Sequence, residues 1–495
     1  MLKLKFVLMI GFISASLCAQ LELSWSQIIE GNGGDLFNDV THSPDGGCVL
    51  IGSTTSNDGV FSDNHGNRDG YIAKYDDEGN LVWDYVFGGS DTENLVDIVT
   101  TVDGGYIITG SSSSSDGDLE GLSSASSLQE LLIKINDDGE IEWVDKYSNG
   151  NVISIKTDSQ GNIYTIAPFG SLANGNIRLS KYDASGIRLW SNTVGGSAIA
   201  ERIDVVVDND GFVYQLTEHL STTNGNDFRV TKFDAQGEEI WTKTYGGNGS
   251  DGAFVIEIRG DRLLLGGITS SSTGDVFVEY GDRDAFILEL DFDGSVVAST
   301  AYGGSGNDRI DDMKVIGDKV FISGASTSSD NDFTVPYPSS FDIFVAEVDL
   351  QGDIAWVEYS GGSANDLRSR LDLVNDSMLI MGYSTTSQDG ALEGADDEPS
   401  MYIAYYDYQD LLSTDQTDRL PFTVYPNPTA DKINIDLENY SDCQLEMYDA
   451  KGHRVLIATD LSDQSVSLEG IAQGLYYITI VKNNRILGSQ TIFID

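Results

Sequence analysis

Cysteine, histidine and proline are scarce in this chain, with 3, 4 and 8 copies among 495 residues. Cys18 falls in an N-terminal apolar run, Cys48 in an alternating stretch and Cys443 almost four hundred residues further on, so no disulfide framework is expected and stability has to come from apolar packing. His42, His65, His219 and His453 are scattered, and no His-Glu-x-x-His, Gly-x-Ser-x-Gly or Cys-x-x-Cys spacing accompanies them, which leaves the common metalloenzyme, serine-hydrolase and redox signatures unmatched. Basic residues are few as well. With 28 Lys and Arg against 79 Asp and Glu, the net charge of −51 repels nucleic acid and anionic lipid and suits a salty exterior or divalent cations as partners. Beyond residue 17 no apolar run is long enough to cross a bilayer, so no transmembrane segment is expected.

The chain begins Met1-Leu-Lys-Leu-Lys5, continues with an apolar run from Phe6 to Leu17 and reaches Cys18-Ala19-Gln20. This pattern predicts a secretory signal peptide over residues 1–19, removed after Ala19, and hence export to the periplasm. A lipoprotein anchored through Cys18 is the alternative, against which Leu17 stands where a small residue is wanted.

Glycine, by contrast, is abundant, and tryptophan is strictly placed. Trp25, Trp83, Trp143, Trp190, Trp241 and Trp356 occupy one position of a repeat of some fifty-five residues, five of them six residues before a glycine, with Ala298 in the remaining copy. Each unit reads Gly-Gly-Ser-x-x-Asp, an alternating run, a turn such as Asp103-Gly104-Gly105, and a second run such as Tyr106 to Gly110. A Ser/Thr/Asp/Gly loop follows, and a hairpin such as Lys74 to Trp83 closes the unit. Runs of period two between Gly and Asp turns are strands. Four strands per unit, A to D, with no helical periodicity, predict an all-β, seven-bladed β-propeller over residues 20–412. Its last unit has no Trp strand, whereas Leu23 to Gly31 carries the Trp strand of a unit with nothing before it. The N-terminal strand is therefore expected to complete the seventh blade, leaving no open sheet edge.

The D to A corners and the long B to C loops are expected on one face. Asp35, Glu93, Asp251, Asp308 and Asp366 end the Gly-Gly motifs, and Asp58, Asp116, Asp118, Asp275, Asp330, Asp332 and Asp389 punctuate the loops. These oxygens are candidate Ca²⁺ ligands, the corner acids first, or else they cap their own turns by accepting backbone N–H bonds. Asp69, Asp227, Asp284 and Asp342, with Gln129 and Asn176, recur just before strand C and are expected to make one repeated turn bond. The tryptophans are expected to pack the D strands rather than to stack sugars.

Composition shifts at residues 413–420, a linker. Beyond it stand Phe422-Thr-Val-Tyr425-Pro426-Asn427-Pro428, the strand Lys432 to Leu437, the turn Tyr448 to Gly452, and Gly470 to Gly474 followed by Leu475-Tyr476. Residues 421–495 thereby resemble the type A C-terminal sorting domain of the type IX secretion system. That resemblance implies a small β-sandwich that engages the secretion machinery and delivers its cargo to the outer cell surface or the medium. Gln490 departs from it, where such domains often carry a basic residue. More loosely, Tyr302 to Asp308 and Val320 to Ser328 resemble a bacterial β-propeller repeat family that shares no catalytic residues, while Asn149 and Ala200 depart from its motif.

Three functions stay open. The chain is expected to be an exported, non-catalytic binding or adhesion module for a glycan or surface protein. It could instead be a polysaccharide hydrolase using a carboxylate pair, which carries no fixed motif. The third alternative is a Ca²⁺-dependent structural surface component.

Overall fold

In the computed structural model the alternating runs are strands, assembled as four-stranded antiparallel sheets. The structure describes residues 20–409 apart from 123–127, 148–150, 170–175, 196–202, 221–224, 279, 376–377 and 393–397. Toward the C-terminus it describes 422–425, 429, 432–437, 443–449, 454–458, 465–468, 470–482 and 485–494. The expected signal peptide and the linker at 413–420 lie outside the described residues. The chain divides into two compact units, one spanning Leu21–Gln409 and the other containing Asp410–Asp495.

Among the described residues, the first unit holds seven four-stranded sheets. Their first strands are Asp35–His42, Glu93–Thr100, Ser154–Thr157, Ile203–Val207, Asp251–Arg259, Asp308–Ile316 and Asp366–Asn375. Each packs against the next, and the last packs against the first. The seventh sheet draws on both ends of the first unit: Gln20–Ile29 pairs with Ser400–Gln409, followed by Met378–Thr385 and Asp366–Asn375. Apolar residues on both faces of the middle strands explain the stacking. Cys48–Thr54 is buried throughout, with Leu50 facing one neighbouring sheet and Val49 and Ile51 the other.

The tryptophans lock one sheet to the next. Trp83 lies opposite Lys74 across a hairpin, donates its Nε1–H to the Asp137 carbonyl of the next hairpin at 3.0 Å, and covers Gly139 with its ring. Gly139 has φ +81°, a left-handed conformation that favours glycine, and an added Cβ there would meet the ring at 2.8 Å. Trp25 reaches Asp77, Trp190 reaches Ala235 and Trp241 reaches Phe292 in the same way. The seventh sheet has no such hairpin for Trp356, which donates instead to Glu347 and packs beside Tyr408.

A bulge sits in the first strand of five sheets, between Phe37 and Asp39, Leu95 and Asp97, Ala253 and Val255, Ile310 and Asp312, and Leu367 and Arg370. Opposite it stands a glycine such as Gly324, where an added Cβ would fall 1.9 Å from the Arg309 carbonyl oxygen. Backbone must move to admit a methyl there, so Gly324→Ala is expected to cost about 3 kcal/mol, measured by urea denaturation of the full chain. In four of the five the residue after the bulge is charged, and Asp39, Asp97 and Asp312 among them each bond to the neighbouring sheet.

In the C-terminal unit, Phe422–Tyr425, Lys432–Leu437 and Ser465–Ser467 form one sheet, and Arg454–Ala458, Cys443–Asp449, Gly474–Lys482 and Arg485–Ile494 form another. Val424, Ile433, Ile435 and Val466 of the first share a core with Leu445, Met447, Ile478 and Ile492 of the second.

Candidate functional site

The acidic corners are made by the Gly-Gly motif itself. Asp35 accepts the Gly31 N–H at 2.7 Å, the Thr54 hydroxyl at 2.5 Å and the Ser56 hydroxyl at 2.9 Å. Asp251 and Asp308 repeat the set with Gly247, Thr269 and Ser271, and with Gly304, Ser326 and Ser328. Glu93 takes Gly89 and Ser112, and Asp366 takes Gly362 and Ser387. All five are fully buried or nearly so. The loop acids complete the corner from outside: Asp58, Asp116, Asp330 and Asp389 accept N–H bonds from Asn32, Ser90, Ser305 and Ser363. Asp118, Asp275 and Asp332 accept from Gly88, Gly246 and Gly303, the first glycine of each motif. These bonds put corners and long loops at the same end of the sheets. Asn149 and Ala200 lie outside the described residues.

Acids at the start of the third strands stand behind the same glycines. Asp69, Asp284 and Asp342 accept the N–H of His65, Tyr280 and Tyr337 at 2.6, 2.8 and 2.7 Å. Asp227 stands at the same point.

A second set of charges, which the motifs did not single out, lies along the converging first strands. Asp39, Asp97, Asp204 and Asp312 each accept the backbone N–H of a residue in a following first strand, Ile98, Ile155, Ile256 and Leu371, at 2.8–3.1 Å. Asp372 closes the circuit on the first strand, taking the His42 N–H and Nδ1, both at 2.8 Å. Lys156 of the third sheet and Lys314 of the sixth both lie 3.9 Å from Glu257 of the fifth, so sheets that are not neighbours meet here. Burial, the charge of Asp97 and a hydrogen bond with it push the Asp39 carboxyl well above the ordinary range, although Arg370 and the Ile98 amide oppose this. Burial likewise raises Glu257 despite its two lysines. The one available signal was the recurrence of Asp four residues after a corner acid, as in Asp35 and Asp39, Glu93 and Asp97, Asp308 and Asp312.

The Asp372 bond raises the His42 imidazole above its ordinary 6.5, against a smaller opposing effect of burial. Its contribution to stability is therefore complete below pH 6.5 and lost as pH rises through the raised value. An NMR titration is expected to place His42 above 6.5 in the native chain and at or below it in Asp372→Asn.

Of the sorting motif, Tyr425 ends an outer strand with half its surface exposed, Gly474 opens the strand Gly474–Lys482, and Tyr476 is buried with its hydroxyl donating to the Ala472 carbonyl at 2.8 Å. Pro426, Asn427, Pro428 and Gly452 lie outside the described residues.

Residues 423–495 match the secretion system C-terminal sorting domain family. A type IX sorting tail of this kind marks a protein that engages the secretion machinery and is secreted or carried to the cell surface. No helix among the described residues is long and apolar enough to cross a membrane. The chain is also 24% identical over 210 residues to the regulatory protein FlaEY of Caulobacter vibrioides, a match that covers 35% of this chain and 22% of that protein. The chain thus spans well under two thirds of that relative. Among solved structures, the polysaccharide lyase Uly1 is similar at 11% identity and a TM-score of 0.44, covering 78% of this chain and 100% of that one. The Dos1 propeller is similar at 11% identity and a TM-score of 0.40, covering 78% and 95%. An extracellular domain of a two-component system from B. thetaiotaomicron reaches 12% identity and 0.40, covering 96% and 60%.

Proposed function

We propose that residues 20–412 are a seven-bladed β-propeller closed by its N-terminal strand, a member of the bacterial propeller-repeat type, and that it works outside the cell as a non-catalytic binding or adhesion module. On this reading the N-terminal segment is the signal peptide, and the sorting tail takes the chain across the outer membrane to act on a glycan or a surface protein. The observation that carries it is the sorting-domain match over residues 423–495, joined to a repeat unit whose recurring acids bond to their own backbone. The Asp39 and Asp97 carboxyls each hold a backbone amide of the following first strand, Ile98 and Ile155. That speaks for fastening rather than hydrolysis.

The test is a glycan array and a surface-extract pull-down with the exported chain, run beside turnover assays on a polysaccharide panel. Saturable binding without turnover supports the proposal. Turnover lost on substitution of a single carboxylate would replace it with a hydrolase, and neither binding nor turnover would remove it.

A further inference from the structure

Four corners aim two carboxylates from neighbouring sheets at one glycine, Asp284 and Asp308 at Gly303 among them, and in three of the four turn bonding leaves one oxygen unaccounted for. The position a Cβ would take on Gly88 lies 2.7 Å from Asp69 Oδ1 and 2.6 Å from Glu93 Oε2. On Gly246 it lies 2.3 Å from Asp227 Oδ1 and 3.0 Å from Asp251 Oδ2, and on Gly361 it lies 3.1 Å from Asp342 Oδ1 and 2.5 Å from Asp366 Oδ2. Both carboxylates of each pair thus aim at one glycine, which explains why that position admits no side chain. In all three corners the Oδ1 of the third-strand acid is buried and has no hydrogen-bond donor. Asp69 and Asp342 are 0% and 1% exposed. Among the described residues, no lysine or arginine forms an ion pair with any of these six acids; the one basic side chain in contact is the His65 imidazole beside Asp69 Oδ2.

A buried carboxylate oxygen without a donor is costly, and two carboxylates with no lysine or arginine beside them are costlier. Either a proton or a cation must neutralise them. A hard divalent ion takes oxygen ligands at about 2.3–2.6 Å, a reach that lets one ion touch both members of a pair and complete its shell with water and loop carbonyls. We propose that the Asp69–Glu93, Asp227–Asp251 and Asp342–Asp366 corners each bind one Ca²⁺ between adjacent sheets. The remaining corners are internal controls. The third strand of the seventh sheet, beside Asp35, begins with Ser400 rather than an acid, and at the Asp284–Asp308 corner the second Asp284 oxygen accepts the Gly281 N–H. The set therefore differs from the five corner acids taken alone, since Asp35 and Asp308 drop out and the third-strand acids enter.

The experiment is equilibrium dialysis of the full mature chain against 1 mM-range CaCl₂, about the affinity range of extracellular calcium modules, followed by elemental analysis and a thermal melt with calcium, with magnesium and with chelator. About three bound Ca²⁺ per chain are expected from the three paired corners, together with a melting temperature that rises with calcium and falls on chelation. Asp342→Asn and, separately, Asp69→Asn keep the side-chain shape and are each expected to lower the count by one. No bound calcium, or a count unchanged in both variants, would overturn the proposal. So would a wild-type melt indifferent to calcium with both Asn variants more stable near neutral pH, since that outcome means each pair shares a proton. The ion count is independent of which ligand the module binds, so its failure and that of the binding proposal are read separately.

Discussion

Removing Gln20–Ile29 from the exported chain is expected to abolish the cooperative melt of the first unit rather than merely lower it. The strand supplies the outer member of the seventh sheet, buries Ile29, stacks Trp25 on Tyr405 at 5.4 Å and bonds Trp25 to Asp77 of the first sheet. Without it, Ser400–Gln409 becomes an open edge, and Tyr405 and its neighbours lose cover on one side. Lost ladder bonds at about 1 kcal/mol each and apolar burial at roughly 25 cal/mol per Å² together approach the 5–15 kcal/mol by which a whole domain is stable. Calorimetry of the chain from residue 20 against the chain from residue 31 reads the effect, and a synthetic peptide of residues 20–30 should restore part of it. A shortened chain that melts within a few degrees of the parent would show that the remaining sheets hold without this closure.

Asp372→Ala is expected to cost roughly 2–4 kcal/mol, more than any surface substitution, because one carboxylate joins the seventh sheet to the first. It accepts the His42 N–H, the His42 ring and the Thr41 hydroxyl. Burial alone would raise this carboxyl, but the His42 bond and the charge of Lys314 hold it below the ordinary range, so the ionised form is the one the fold uses. The alanine leaves a strand amide unsatisfied and Lys314 short of one counter-charge. Chemical denaturation at pH 6 measures the loss, and the deficit should narrow toward higher pH, where the His42 contribution is already gone. Asp45→Ala, at a half-exposed carboxylate paired with Lys74, serves as the comparison and is expected to cost well under half as much.

Much of the first unit was legible in the residues. Alternation marked the strands, and the register of the Lys-to-Trp hairpin is the register seen, with Lys74 opposite Trp83, Lys134 opposite Trp143 and Lys232 opposite Trp241. The orphan strand at the N-terminus could be matched to the unit without a Trp strand because each unit needs four strands to cover its faces. The direction of the Trp side chain was not legible. Packing against the D strands was expected, but not that the ring spans to the next hairpin, where the left-handed glycine leaves a flat floor and the Asp137 carbonyl accepts the indole N–H. The charges of Asp39, Asp97, Asp204, Glu257, Asp312 and Asp372 passed unremarked among so many acids, since alternation assigns a residue to a face but not to the strand that will lie against it.

By itself, then, the amino-acid order determined the strand pattern, the repeat length, the pairing of chain ends and the sorting tail, because these depend on local periodicity and on spacing along the chain. Which carboxylates share a corner, and which strand amide each aspartate holds, was decided by tertiary structure alone. Residues such as Asp342 and Asp366, or Asp372 and His42, are brought together only when separate sheets stack, and burial between those sheets gives their charge its energetic weight.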